Sequence, residues 1–301
     1  QGIQSWTGPL NWTYMFSNSA GHPGPSARPQ PGKRKGNAAL LMGLFFLLFF
    51  CASGVFAQEQ ETYDPTLPQN LHRKPVILFW CDNPLELENI THVANKVWVP
   101  GDDEAEQQYR QDRVLARGLI PLDWVGGMNR AGHSEEDLIA YYTGKLMFGY
   151  AGIAIDEIGG YDIEVNRKFT RVFGEIKRRF PDRVVAVWHA GFLTKEHLEM
   201  YRNGADIVMF ERYLDGTAFI TERLSYNLNM ARNGGIVEKC IFALGLDEER
   251  WINTIEELEV QMHWIAENAP EMRGIAVFAP DAPEELVRAA DRLAGELFIK
   301  K

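Results

Sequence analysis

Cysteine is scarce in these 301 residues, with three in all, and no Cys-x-x-Cys pair or His-rich zinc spacing occurs. A zinc-nucleated or disulfide-dense fold is thereby excluded. Cys81 and Cys240 lie on separate apolar runs. An oxidising compartment would permit a disulfide between them, but the pattern reads better as two lone buried thiols. Positive charge is also short. All 41 acids but only 27 of the 31 lysines and arginines follow residue 57, which leaves that part with a formal charge of −14. Phosphate and anionic-lipid partners need clustered cations, so this balance argues against nucleic acid and favours neutral or cationic ligands. A Gly-x-Gly-x-x-Gly turn is missing after the first apolar run, which ends "FWCDNP", and with it the mark of a dinucleotide fold.

What the N-terminus does contain is a targeting pattern. Lys33, Arg34 and Lys35 precede an apolar run from Ala38 to Phe50, and Val55-Phe56-Ala57 forms a small-residue cleavage site, so residues 1–57 read as leader and secretory signal. Left uncleaved, the same run would serve as an N-terminal membrane anchor. Either way the remainder is expected outside the cytoplasm, secreted or in the periplasm or at the cell surface, and touches a membrane only if the signal stays uncleaved. Cys51 follows Phe50, where a lipoprotein site would have a small residue. Residues 58–73 read as a polar linker, and residues 74–301 are expected to form one domain.

Within that domain, short apolar runs alternate with amphipathic ones. Strand candidates fall at 75–82, 92–100, 118–125, 151–157, 183–190, 205–211, 239–246 and 273–280, each a near-continuous β-branched or aromatic run suited to a parallel sheet buried on both faces. Helical patterns intervene, such as 162–180. Ser134 and Thr194 are placed as caps, and Gly204 as a stop. Eight strands, each followed by a helix or by room for one, give the count of an α/β fold of the (β/α)8 TIM barrel type.

Such barrels keep their chemistry at the C-terminal strand ends. Those ends carry Trp80, Asp82, Trp98, Asp123, Trp124, Trp188, His189 and Tyr213, and four of the six tryptophans beyond residue 57 are among them. Indole faces at a barrel mouth suit the apolar face of a sugar ring, so these eight residues are the substrate-binding candidates. Asp156 and Glu157 end the fourth strand and Glu211 ends the sixth. Cleaving a glycosidic bond takes two carboxyl groups, one protonated and one ionised, which makes these three the catalytic candidates. Successive strand residues point to opposite faces, so Asp156 and Glu157 cannot both point inward from a regular strand. The Gly159-Gly160 turn is the feature expected to release Glu157. No cofactor is called for, and the spacing of Asp82, Asp123, Asp156 and His189 does not demand a metal.

The segments "GIAIDEIG" and "GADIVMFERYLDG" resemble the pattern of spherulin-4-like barrels and their relatives, glycoside hydrolase families 135 and 114. The resemblance covers about residues 150–216. It implies endo-α-1,4-galactosaminidase activity on secreted galactosamine-containing polysaccharides, with Asp156, Glu157 and Glu211 as the catalytic cluster. The expected activity is therefore a secreted glycoside hydrolase acting on a polysaccharide or oligosaccharide. The alternatives are a non-catalytic carbohydrate-binding barrel and a metal-dependent barrel hydrolase. A phosphosugar enzyme is disfavoured by the acidic ends of strands seven and eight.

Overall fold

The computed structural model describes residues 76–80, 96–98, 104–116, 120–147 and 151–299, apart from positions 161, 215, 248, 250, 273, 280 and 281. For positions 76, 80, 96–98, 104, 106, 107, 110, 111 and 114 it describes the backbone only. The expected leader, the linker and Asp82 lie outside the described residues.

The strands are β1 (Val76–Trp80), β2 (Lys96–Trp98), β3 (Ile120–Gly126), β4 (Gly152–Gly159), β5 (Val184–Ala190), β6 (Ile207–Glu211), β7 (Cys240–Gly245) and β8 (Gly274–Phe278). They pair in sequence order, all parallel, and β8 pairs back onto β1, which closes the barrel. Seven α-helices are described: α1 (Glu104–Ala116), α2 (Glu135–Leu146), α3 (Ile163–Arg179), α4 (Lys195–Gly204), α5 (Ile220–Asn233), α6 (Ile255–Asn268) and α7 (Glu284–Ala294). Sheathing by helices explains why β7 is buried along its whole length, and β5 along all but its last residue. A strand with apolar neighbours on both faces has no use for polar alternation.

The helices begin where side chains can satisfy their free amides. Asp162 opens α3 by accepting from Glu164 N (2.9 Å) and Val165 N (3.1 Å). Phe169, Val172, Phe173 and Ile176 recur at helical spacing and are buried, while Lys177, Arg178 and Arg179 occupy the last turn, where cations complement the helix dipole. Ser134 caps α2 through Asp137 N (3.1 Å). Thr194 caps α4 in a capping box completed by His197 rather than by an acid. Among the described residues, no helix is long and apolar enough to cross a membrane.

Candidate functional site

Strand alternation sorts the polar residues into two layers. Asp123 on β3 is almost fully buried and lies 3.2 Å from Lys145 Nζ of α2. His189 on β5 is fully buried, with Nδ1 2.8 Å from the Tyr201 hydroxyl of α4 and its ring 4.7 Å from that of His197. Phe210 on β6 packs edge-on to His189, and Phe242 on β7 meets Trp264 of α6. These side chains face the helix layer. Their neighbours Trp124, Trp188 and Glu211 therefore point into the barrel.

Asp123 and His189, expected at the mouth, are thus turned away from it. Burial holds the Asp123 carboxyl above its usual range against the opposing pull of Lys145. It holds the His189 imidazole well below its usual range, with the His197 ring adding to the effect. Trp188 points inward but has no exposed surface, so it fills the barrel instead of offering a platform. Trp124 remains half-buried beside Asp156.

The register of β4 against β5 breaks at the acid pair. Ile155 pairs with Val187 and Ile158 with His189, so Asp156 and Glu157 together oppose the single residue Trp188. This is a β-bulge. Glu157, the inserted residue, adopts a left-handed φ of 47°, a conformation that costs a non-glycine residue about 1–3 kcal/mol. Asp156 keeps its register with Gly126 of β3 and faces inward, and the extra residue brings Glu157 to the same side. The release expected from the Gly159-Gly160 turn therefore happens earlier, inside the strand.

The three carboxyl groups act on one another. Glu211 is pushed up to about 8, first by burial and then by the charges of Asp156 and Glu157. Asp156 is pushed up to about 6 by burial and by Glu157, with hydrogen bonding from the Trp124 side chain working the other way. Both shifts favour the protonated acid. Glu157 is exposed to water. The Tyr213 phenol, just past Glu211, is held well above its usual range by burial and by the same three acids, so it stays protonated.

Tyr213 also anchors an aromatic group that strand ends alone do not reveal. Its ring stacks on Phe278 of β8 at 5.6 Å and lies 4.8 Å from Trp251, beyond β7. Gly245 makes room for them, because a Cβ there would come within 2.7 Å of the Trp251 ring and 2.9 Å of Tyr213. Trp251 sits in the segment after β7, further along the chain than the last strand residue. Trp80 is in register with Phe278 and with Trp98, which places two further expected positions along this rim by backbone alone.

Among the described residues, no group of three or more His, Cys, Asp and Glu side chains is placed to hold a metal ion. Of the conceivable metal set, Asp123 and His189 face the helices while Asp156 faces the barrel interior.

No protein-family model matches the chain, and no curated protein matches it. Solved structures do. An endo-β-N-acetylglucosaminidase from Cordyceps militaris superposes with a TM-score of 0.56 at 14% identity, over 77% of this chain and 94% of that one. A GH18 chitinase from Pseudoalteromonas aurantia gives 0.55 at 11%, over 73% and 100%. One from Cycas revoluta, in complex with (GlcNAc)4, gives 0.56 at 9%, over 74% and 99%. The chain has the fold of these barrels. At such identities the likeness extends no further than the fold.

Proposed function

We propose that this protein is a secreted glycoside hydrolase that cleaves glycosidic bonds in a polysaccharide or oligosaccharide. The observation that carries the proposal is the convergence of Asp156, Glu157 and Glu211 on one side of the sheet, with Glu211 pushed up to about 8. A carboxyl group still protonated at neutral pH is what a glycosidic leaving oxygen needs. Glu211 donates its proton to that oxygen as the bond to the anomeric carbon breaks. Glu157, open to water, supplies the opposing carboxylate, and the charge of Asp156 helps keep Glu211 protonated. Proton donation by a placed acid contributes about 10²–10⁴-fold.

Tyr213, Trp251 and Phe278 offer aromatic surface for a sugar ring beside these acids. Two substrate classes stand first. Galactosamine-containing polymers follow from the sequence resemblance, and N-acetylglucosamine oligomers from the names of the enzymes that share the fold.

The test is reducing-sugar release by the purified protein on both classes, with Glu157→Gln and Glu211→Gln alongside. Release by the wild type and its loss in both variants is expected; full activity in both variants would sink the assignment. The anomeric configuration of the first product, followed by NMR, assigns Glu157 its role: retention if it attacks carbon, inversion if it activates water.

A further inference from the structure

The bulge that brings the two acids together leans on the loop after β3. Gly126 is in register with Asp156, and at Gly127 the chain passes so close that an added Cβ would lie 2.0 Å from the Asp156 carbonyl oxygen and 2.8 Å from Ile158 Cδ1. That carbonyl belongs to the peptide joining Asp156 to Glu157. Turning its plane changes ψ of the first residue and φ of the second, and the φ of 47° at Glu157 is the setting that defines the bulge. The loop is in turn tied to α2. Tyr142, fully buried, donates its hydroxyl hydrogen to the Gly126 carbonyl at 2.8 Å. From Tyr142 to Gly126-Gly127 to the Asp156 carbonyl, each step is a direct contact.

We infer that Gly127 is a positioning residue for the Asp156–Glu157 pair and that Tyr142 is the latch holding it in place. Neither touches substrate. Gly127 supplies empty space, which a methyl group would take from a backbone oxygen with little freedom to move, and Tyr142 supplies a buried side-chain hydrogen bond that helps fix where that space lies, beside the backbone bond from Arg130 N to the Gly127 carbonyl at 2.9 Å. The inference rests on the glycosidase reading for its kinetic consequence but not for its structural one.

The experiment compares Gly127→Ala and Tyr142→Phe with Gly132→Ala. Gly132 lies in the same connection, and a Cβ there would have nothing within 4 Å. Two readouts are taken: kcat and KM on the best substrate found, and the carboxyl carbon-13 titration of Asp156, which needs no activity. A displacement of about 1 Å at a catalytic group costs about a hundredfold. Gly127→Ala is therefore expected to lose about that in kcat with KM kept, and to move the Asp156 titration. Tyr142→Phe should do the same to a smaller degree, and Gly132→Ala should change neither. An unshifted Asp156 titration and wild-type kcat in a folded Gly127→Ala overturn the inference. If Gly127→Ala does not fold, Tyr142→Phe decides alone, since it keeps the ring and removes only the hydroxyl. Wild-type behaviour in that variant overturns the latch and with it the chain of contacts. If the wild type cleaves nothing, the glycosidase reading fails while the titration still judges the inference.

Discussion

β4 and β5 lie side by side, and each ends in a pair of adjacent residues with chemical potential: Asp156-Glu157 on one, Trp188-His189 on the other. β5 keeps its alternation, so Trp188 points into the barrel and His189 into the helix layer, and both are fully buried. β4 breaks its alternation with one inserted residue, and two acids reach the same side. A regular strand end therefore turns promising residues into packing, whereas an irregular one gathers them. The left-handed φ at Glu157 marks the difference, since strain of that kind persists where the surroundings impose it.

If the comparison holds, changes at the β4 and β6 ends alter rate and changes behind β5 alter stability. The largest effect is expected from Glu211→Gln, which removes the proposed proton donor and should lower kcat by about 10²–10⁴-fold with the fold intact. Next comes Trp124→Phe. It takes away hydrogen bonding to the Asp156 carboxylate, so the Asp156 titration should rise further and the acid limb of the rate profile should move with it.

Tyr201→Phe strikes the other strand. It leaves His189 Nδ1 buried without its partner and should cost about 1–3 kcal/mol in urea unfolding while kcat stays near wild type. A rate loss without a stability loss would erase the contrast between the strands.

The smallest net effect is the pH dependence of stability, because there the two regions pull in opposite directions and partly cancel. Thr194 N donates to His197 Nδ1 at 3.1 Å, which requires a neutral ring, and burial holds His197 down to about 4. Between about 6.5 and about 4 the unfolded chain takes up a proton that the folded chain refuses, so this group's contribution to stability is lost as pH falls through that window. Glu211 has the reverse sign. Its folded value of about 8 lies above the ordinary 4.5, so the folded chain holds the extra proton, and stability is lost as pH rises from about 4.5 to about 8. Melting temperatures across this range should show Glu211→Gln removing the alkaline loss and leaving the acid loss in place.

Much of the barrel was legible in the residues. The run at 205–211 became Ile207–Glu211 and that at 183–190 became Val184–Ala190, because continuous apolar runs between caps and glycines leave a buried parallel strand few alternatives. The site was less legible. Asp156, Glu157 and Glu211 stood out as acids closing apolar runs, but the bulge that joins them depends on a contact from Gly127, thirty residues earlier in the chain, which no local pattern reveals. Asp123 and His189 also stand near the ends of apolar runs, which made them candidates for substrate binding. Their facing depends on register one residue at a time, and the partners that absorb them, Lys145 and Tyr201, lie on helices. Trp251 escaped notice because it sits past the strand it serves.

The central claim is that the bulge places both β4 acids within electrostatic reach of Glu211. The most direct measurement is the carboxyl carbon-13 titration of Glu211 in the wild type and in Asp156→Asn. The account predicts a midpoint near 8 that falls when the Asp156 charge is removed. A midpoint in the ordinary glutamate range, unmoved by Asp156→Asn, would contradict it.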